Sequence, residues 1–270
     1  MDLSFSASEE AFRHELQRWL AENHARLVAA GGEAESLAEE VPRLIDWQRH
    51  LHSGGWVAVH WPRDYGGRGA SVIEHYLFQE ELAAARAPEI IGRIGLNLVG
   101  PTLIAHGTEA QKQRFLPQIM PADEVWCQLF FEPGAGSDLT ALRTRAEPTG
   151  DGWIVNGQKV WTSYAQFARW GILLARTDPA APKAKGISFF ILDMEQPGVT
   201  VRPLRQMTGG EEFNEVFLED AFVPRAHLVG SEHDGWRIAN TTLFRSGSSR
   251  SRRASRSSPP RRAAACGRCA

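Results

Sequence analysis

The chain has 270 residues, of which 43% are hydrophobic and 23% charged, so it can build a core of globular size. No apolar run approaches the roughly 18 residues that cross a bilayer, and the first residues lack the features of a secretory signal. The three cysteines are too few for a disulfide scaffold and fit a reducing compartment. Cys266 and Cys269 form only a single CxxC, so we predict no metal site. From the apolar runs, the first residues and the cysteine count together we predict a cytoplasmic protein that does not bind a membrane.

The net charge of −2 conceals a strong asymmetry along the chain. Residues 245–270 hold eight arginines and no acidic residue, whereas residues 1–244 hold 22 basic and 32 acidic side chains, a balance of −10. The terminal segment cannot bury enough apolar area to offset its ordering entropy, so disorder is predicted over it. Arg-Ser runs can bind RNA. The abrupt end of the apolar pattern after Leu243 instead favours an aberrant, out-of-frame C-terminus, and we predict no nucleic-acid partner.

The first part of the chain has the patterning of helices. Ser6 and Glu9 have the capping-box spacing, and Thr108 and Gln111 repeat it. Apolar residues recur at helical spacing in three segments, which contain Phe12, Leu16, Trp19 and Leu20, then Leu44, Trp47 and Leu51, then Ile73, Tyr76, Leu77 and Ala84. These signals predict an N-terminal all-α domain over residues 1–122.

The patterning changes near Val125 to that of short strands. Runs rich in strand formers, separated by Gly, Pro and Asp, lie at 125–131, 153–155, 159–162, 170–175, 187–192, 199–201 and 216–218. Asn156-Gly157 between two of these runs predicts a hairpin, because both residues tolerate positive φ. The order of elements predicts an α+β chain with an antiparallel β-sandwich or barrel over residues 123–232. Residues 233–244 predict the start of a further helix.

Residues 128–138 read as a strand that enters a glycine-rich loop. Gly134 and Gly136 permit close approaches that a Cβ would block, and such loops cradle phosphates or let a flat ring lie against the main chain. The loop lacks the Gly-Lys-Ser/Thr ending of a P-loop and the third glycine of a dinucleotide fingerprint. Its composition alone favours an ordinary tight turn.

Five segments carry a resemblance to a known family. They are HWPRDYGG at 60–67, GTEAQKQRFLP at 107–117, FFEPGAGSD at 130–138, NGQKVWTS at 156–163 and FNEVFLEDAFVP at 213–224. In this order, over residues 1–243, they resemble the acyl-CoA dehydrogenases. The resemblance ends where the family's C-terminal four-helix domain begins, so we expect a chain truncated before that domain.

The resemblance implies a flavoprotein reaction with FAD as the cofactor and an acyl-CoA as the substrate. In the family, a carboxylate removes the α-proton and a hydride passes from the β-carbon to the flavin, giving a trans-2-enoyl-CoA. The resemblance also implies an electron-transfer flavoprotein as partner and a homo-oligomer. The family's base lies in the C-terminal domain, so no residue of this chain inherits it and we expect impaired catalysis. The alternative is a non-catalytic fragment or a module that binds a CoA thioester or flavin.

The resemblance also assigns site residues. The implied flavin contacts are Gln128, Leu129, Phe130, Phe131, Trp161, Thr162 and Ser163, and the implied substrate contact is Ser137. Trp161 matches an aromatic residue that packs on the flavin, and Ser163 matches a hydroxyl near flavin N5. The family often has Thr or Ser at the position of Phe131, which cannot donate that hydrogen bond.

Other readings come from the residues themselves. Without the resemblance, Trp161 would be a core residue, since tryptophan anchors β packing in many proteins. Glu132 and Asp138 resemble carboxylates that structure a loop. Glu80 and Glu81 are expected on a solvated helix face.

Overall fold

The structure, a computed structural model, describes residues 4–248. The helices among them are α1 (Ala7–Glu22), α2 (His24–Ala30), α3 (Leu37–Ser53), α4 (Val72–Ala84), α5 (Gly100–His106), α6 (Glu109–Ile119) and α7 (Gly235–Ser248). Capping boxes begin three of these helices, at Ser6–Glu9, Ser71–Glu74 and Thr108–Gln111. The helical character predicted for the first part of the chain is confirmed, as are the two predicted capping boxes.

The loop that follows α3 is anchored by a buried tryptophan. Trp61 is 1% exposed, and its Nε1 donates a hydrogen bond to the Leu96 carbonyl at 2.8 Å. Gly100, at the start of α5, lies directly on the Trp61 ring, where any Cβ would overlap the indole. The close approach of helix to ring explains why glycine suits this helical position despite its low propensity.

One expectation about the helical region is wrong. Glu81 is buried, and its carboxylate accepts hydrogen bonds from Arg13 Nε at 2.5 Å and Gln17 Nε2 at 3.0 Å. Glu80 remains 41% exposed, as expected of a solvated face. The partners of Glu81 lie on α1, so a helical pattern within α4 could not reveal them.

The second part of the described chain forms one mixed sheet. Its strands are β1 (Trp126–Leu129), β2 (Arg145–Pro148), β3 (Gly152–Ser163), β4 (Trp170–Arg176), β5 (Ile187–Asp193), β6 (Val199–Leu204) and β7 (Phe213–Pro224). The strand order is β1-β4-β2-β3-β7-β6, and β5 also pairs with β4. The α+β class is confirmed. The sheet is not wholly antiparallel, because β1 runs parallel to β4. Local composition cannot show which distant strands become neighbours.

The hairpin predicted at Asn156-Gly157 is wrong. Both residues lie within β3, which pairs with β7 along its length, and the register shifts between Val155 and Gly157. The Asn156 side chain also bridges β3 and β7 at this register shift, since its Oδ1 accepts a hydrogen bond from the backbone N–H of Asp220 at 2.9 Å. The Asn-Gly pair therefore forms a β-bulge, which, like a hairpin turn, accommodates unusual backbone angles.

The helices and the sheet share a continuous hydrophobic core. Phe115 of α6 packs edge-on against Trp126 of β1 and Trp170 of β4, with ring centroids 5.3 and 5.2 Å apart. Gln111 of α6 adds a polar link, because its Nε2 donates to the carbonyls of Ala226 and Leu228, each at 2.8 Å. This packing fixes the position of β1 relative to the helices.

Helix α7 packs on α5, and the hydroxyls of Thr102 and Thr242 are hydrogen-bonded at 2.8 Å. It corresponds to the helix predicted to start in residues 233–244 and runs to Ser248. Residues 245–248, the first four of the segment predicted to be disordered, belong to this helix, whereas the rest of that segment, including the CxxC of Cys266 and Cys269, lies outside the described residues. No helix within residues 4–248 is both long enough and apolar enough to span a membrane.

Candidate functional site

A buried ion pair organises the glycine-rich loop. Lys159 of β3 is fully buried, and its Nζ lies 2.9 Å from Glu132 Oε1 while donating to the Leu174 carbonyl at 2.8 Å and to the Phe130 carbonyl at 3.3 Å. Glu132 in turn accepts the backbone N–H of Arg143 at 2.6 Å. Each charged group is thereby paired and hydrogen-bonded, as burial requires.

The same pair perturbs both pKa values. Burial lowers the pKa of Lys159 to about 8, although the Glu132 charge opposes this shift. Burial raises the pKa of Glu132, but the Lys159 charge and the hydrogen bonds from residues 143 and 144 outweigh it, so the pKa lies below its ordinary value. The pair is a structural strut, because Lys159 is fully buried and both charged groups are bound by groups of the protein itself.

The glycine-rich loop is a tight turn with an open face. Glu132 and Ala135 exchange backbone hydrogen bonds at 3.0 and 3.1 Å. No heavy atom lies within 4 Å of where a Cβ would stand on Gly134 or Gly136. Asp138 holds the far end of the turn by accepting from Thr140 Oγ1 at 2.6 Å. The predicted loop-structuring roles of Glu132 and Asp138 are confirmed.

Strand β3 carries a second bulge beside this loop. The register shifts between Lys159 and Thr162, and Trp161 within the bulge has a φ of 59°. Its ring is 58% exposed, whereas every other tryptophan of the chain is buried or half-buried. The ring stands edge-on to Phe213, with centroids 6.0 Å apart. The bulge thus turns a large aromatic surface outward, so the core reading of Trp161 is wrong.

The resemblance-based site residues fall into two groups. Leu129, Phe130 and Thr162 have buried side chains, whereas Gln128, Phe131, Trp161 and Ser163 are wholly or partly accessible, as is the loop residue Ser137. The backbone N–H of Val160 donates to the Phe131 carbonyl at 3.0 Å, which brings the end of β1 against β3. The structure therefore joins two segments through residues that are 29 positions apart in sequence.

A small cleft of about 120 Å³ opens beside Ser163. Its walls come from both halves of the molecule, with Ile90 and Ile94 from the helical part and Phe213 from β7. Charged residues line it too, among them Glu89, Arg93 and Glu212, so the Ser163 hydroxyl lies at the edge of a small cleft with both apolar and charged walls.

Sequence reasoning overlooked two residues of this region. The signal for Lys159 is a charged residue at an inward-facing strand position, which indicates a buried pair. Asn214 is the second of these residues. It is fully buried, and its Nδ2 donates to the Thr162 carbonyl at 3.0 Å.

Two family models match the chain. The N-terminal domain of acyl-CoA dehydrogenase matches residues 6–123, and the middle domain of acyl-CoA dehydrogenase matches residues 127–221. The chain belongs to the acyl-CoA dehydrogenase family. The resemblance seen in the motifs is thereby confirmed.

Curated relatives and solved structures agree with this membership. The chain is 51% identical to acyl-CoA dehydrogenase FadE34 of Mycobacterium tuberculosis, over 80% of this chain and 30% of that protein. It is 45% identical to acyl-CoA dehydrogenase IpdE1 of the same organism, over 87% of this chain and 62% of that protein. The ChsE4-ChsE5 complex of M. tuberculosis superposes with a TM-score of 0.78 at 34% identity, over 91% of this chain and 61% of that one. The chain thus spans less than two thirds of these relatives.

Proposed function

We propose that this acyl-CoA dehydrogenase family member binds FAD and an acyl-CoA thioester. The observation that carries the proposal is the outward Trp161 ring on a strained bulge, next to Ser163 and the end of β1. Trp161 is the one tryptophan among the described residues that is exposed, and its flat aromatic face is suited to cover a flat ring system.

The residues present fit a flavin, with one exception. Trp161 offers an aromatic face, and the hydroxyl of Ser163 is accessible for hydrogen bonding. Phe131 offers no side-chain hydrogen bond, so at this position the chain supplies only packing and backbone groups. When bound, the flavin would supply hydride acceptance from the substrate. The chain's own contribution is to hold the ring and to exclude water along the Phe131–Trp161 surface.

We further propose that proton removal depends on a group outside residues 4–248, because no carboxylate among these residues matches the family's base. The chain by itself would then be impaired in dehydrogenation. The alternative is that the chain only binds a flavin or a CoA thioester. We place Ser137 at the acyl-CoA entrance, on the strength of its match to the family and its exposure.

The partners are also proposals. The family suggests an electron-transfer flavoprotein and a homo-oligomer. The solved relatives named as the ChsE4-ChsE5 complex and the Tcur3481-Tcur3483 steroid ACAD each contain two components. They favour a second acyl-CoA dehydrogenase chain as partner, and a steroid-type acyl group as one substrate class to include in tests. A cytoplasmic location rests on the sequence features alone.

The test is the visible absorbance of the purified chain after incubation with FAD and gel filtration. We expect a flavin band in the native chain and a reduced band in Trp161→Ala. The matched control is Phe222→Ala, which removes another exposed aromatic residue (39% exposed), on β7. A native chain without a flavin band would refute FAD binding.

Addition of an acyl-CoA then separates the two functions. A flavin band that stays oxidised supports a binding-competent but impaired chain. A band that bleaches would show that the chain is a complete dehydrogenase and would overturn the proposed impairment. Straight-chain and steroid-type acyl-CoA thioesters should be compared in the same assay.

A further inference from the structure

The backbone conformation of the bulge that contains Trp161 is intrinsically unfavourable. Val160 and Trp161 together lie opposite a single residue of β7, between the pairs Lys159–Val216 and Thr162–Asn214. A tryptophan at positive φ is disfavoured sterically and persists only where the surroundings enforce it. Tyr164, three residues on, also has a positive φ of 55°. The segment between these two residues contains Ser163.

The side-chain amide of Asn214 is hydrogen-bonded to this segment. Asn214 is fully buried on β7, and its Nδ2 donates to the Thr162 carbonyl at 3.0 Å and lies 3.3 Å from the Glu212 carbonyl. The Glu212 carbonyl also accepts the backbone N–H of Tyr164 at 2.7 Å. The amide therefore links the Thr162–Ser163 peptide group to the Glu212 carbonyl, which also accepts from the turn at Tyr164.

The third partner of the amide extends the same network. Asn214 Nδ2 also donates to Oε1 of Gln166, in the turn that follows β3. All of these partners belong to the bulge or to the turns that flank it. Thr162 adjoins Trp161 in the chain, and the Glu212 carbonyl binds the backbone N–H of Tyr164, so the amide is connected to both strained residues through their neighbours.

We infer that Asn214 is a positioning residue, which holds the bulge so that Trp161 and Ser163 face the bound flavin. The inference rests on the proposed function. Loss of the amide releases the Thr162 carbonyl, lets the bulge relax and turns the Trp161 ring away from its outward position. Asn214 itself does not touch the flavin, because its side chain is fully buried.

The first test does not require FAD. The chain is labelled with 5-fluorotryptophan, and the Trp161 fluorine resonance is assigned by its loss in Trp161→Phe. We expect Asn214→Ala to shift or broaden this resonance in the FAD-free chain. Gln111→Ala is the matched control, because Gln111 is a buried amide that also donates to two backbone carbonyls, far from the bulge in sequence. Equal effects of the two variants, or none, would overturn the inference.

The second test is a mutant cycle on FAD affinity, measured by quenching of flavin fluorescence. We expect Asn214→Ala to weaken FAD binding about tenfold in the native background, as loss of a buried hydrogen-bond donor would. In the Trp161→Ala, Ser163→Ala background the same change should weaken binding less than about threefold, because coupled residues are not additive. Full additivity would contradict a positioning role.

The outcomes separate this inference from the proposed function. A native chain that does not bind FAD refutes the proposed function and, with it, the flavin-facing role of Asn214. Binding without coupling in the cycle refutes only the role of Asn214. If Asn214→Ala does not fold, Asn214→Ser, which retains a donor of shorter reach, takes its place with the same expected direction.

Discussion

At the residue scale, two lysine–carboxylate pairs of this chain differ sharply in environment. Lys159 and Glu132 have side chains that are 0% and 7% exposed, whereas Lys183 and Asp138 are 74% and 57% exposed. Removing one member of a buried pair leaves an uncompensated charge, while an exposed pair is screened by water. Burial, rather than the number of ion pairs, decides which of these lysines matters for folding.

Lys159→Met should therefore lower the free energy of unfolding by about 3–5 kcal/mol in urea denaturation. The physical reason is the buried Glu132 carboxylate, which would lose its counter-charge. The matched control, Lys183→Met, should leave the urea midpoint nearly unchanged. Similar midpoints for the two variants would contradict the buried strut.

The pH dependence of stability tests the other member of the pair. The pKa of Glu132 is lowered from its ordinary value of 4.5, so the unfolded state binds more protons between the folded pKa and 4.5. The contribution of Glu132 to stability is therefore present above 4.5 and is lost as the pH falls through the folded pKa. Urea denaturation across this range should show a shallower decline for Glu132→Gln than for the native chain. Glu147→Gln, an exposed carboxylate on β2, should retain the native slope.

At the element scale, β3 is the strand on which the candidate site depends. It carries two irregularities, at Val155–Gly157 and at Lys159–Thr162, within 12 residues. Bulges bend a strand and re-aim side chains, and they occur often beside active sites. The first bulge brings Gly157 against Thr144, and the second turns Trp161 outward.

Gly157→Ala should destabilise the chain by about 1–3 kcal/mol, as overpacking does in other interiors. The added Cβ would overlap the Thr144 side chain and backbone, which the Glu132 carboxylate holds in place. Thermal unfolding followed by circular dichroism measures the effect. Gly150→Ala is the control, because no heavy atom lies within 4 Å of its Cβ position. An unchanged melting temperature for Gly157→Ala would show that β3 and the 143–144 segment can separate freely.

For the molecule as a whole, the largest of the hydrophobic clusters among the described residues joins the helices to the sheet, and a second cluster lies within the sheet. The cluster that begins at Phe12 in α1 continues through Phe115 in α6 to Phe189 in β5 and Ile238 in α7. We propose that residues 1–122 form a helical domain and residues 123–232 a middle domain, with the following helix beginning at residue 233. Extensive shared packing favours joint unfolding over separate melting of two units.

We therefore expect a single thermal transition for the 270-residue chain. Far-ultraviolet circular dichroism reports mainly on the helices. Near-ultraviolet signals report on tryptophans of both parts, since Trp19 and Trp47 lie in helices whereas Trp126, Trp153 and Trp170 lie in strands, so the two midpoints should coincide. Phe115→Ala should lower both midpoints together, because this ring contacts both parts. Two separate transitions would contradict a shared core and would support independently folding domains.

The amino-acid sequence is sufficient to predict the helical first part, two of its three capping boxes, the strand-rich second part and the family, because these depend on local spacing and on contiguous motifs. Ser6–Glu9 and Thr108–Gln111 are legible since each helix cap is made within four residues. Only the tertiary structure decided that Asn156-Gly157 is a bulge, that Glu81 and Lys159 are buried in pairs, and that Trp161 faces outward. Each of these outcomes depends on a partner far along the chain, and neither composition nor periodicity specifies which distant residues meet.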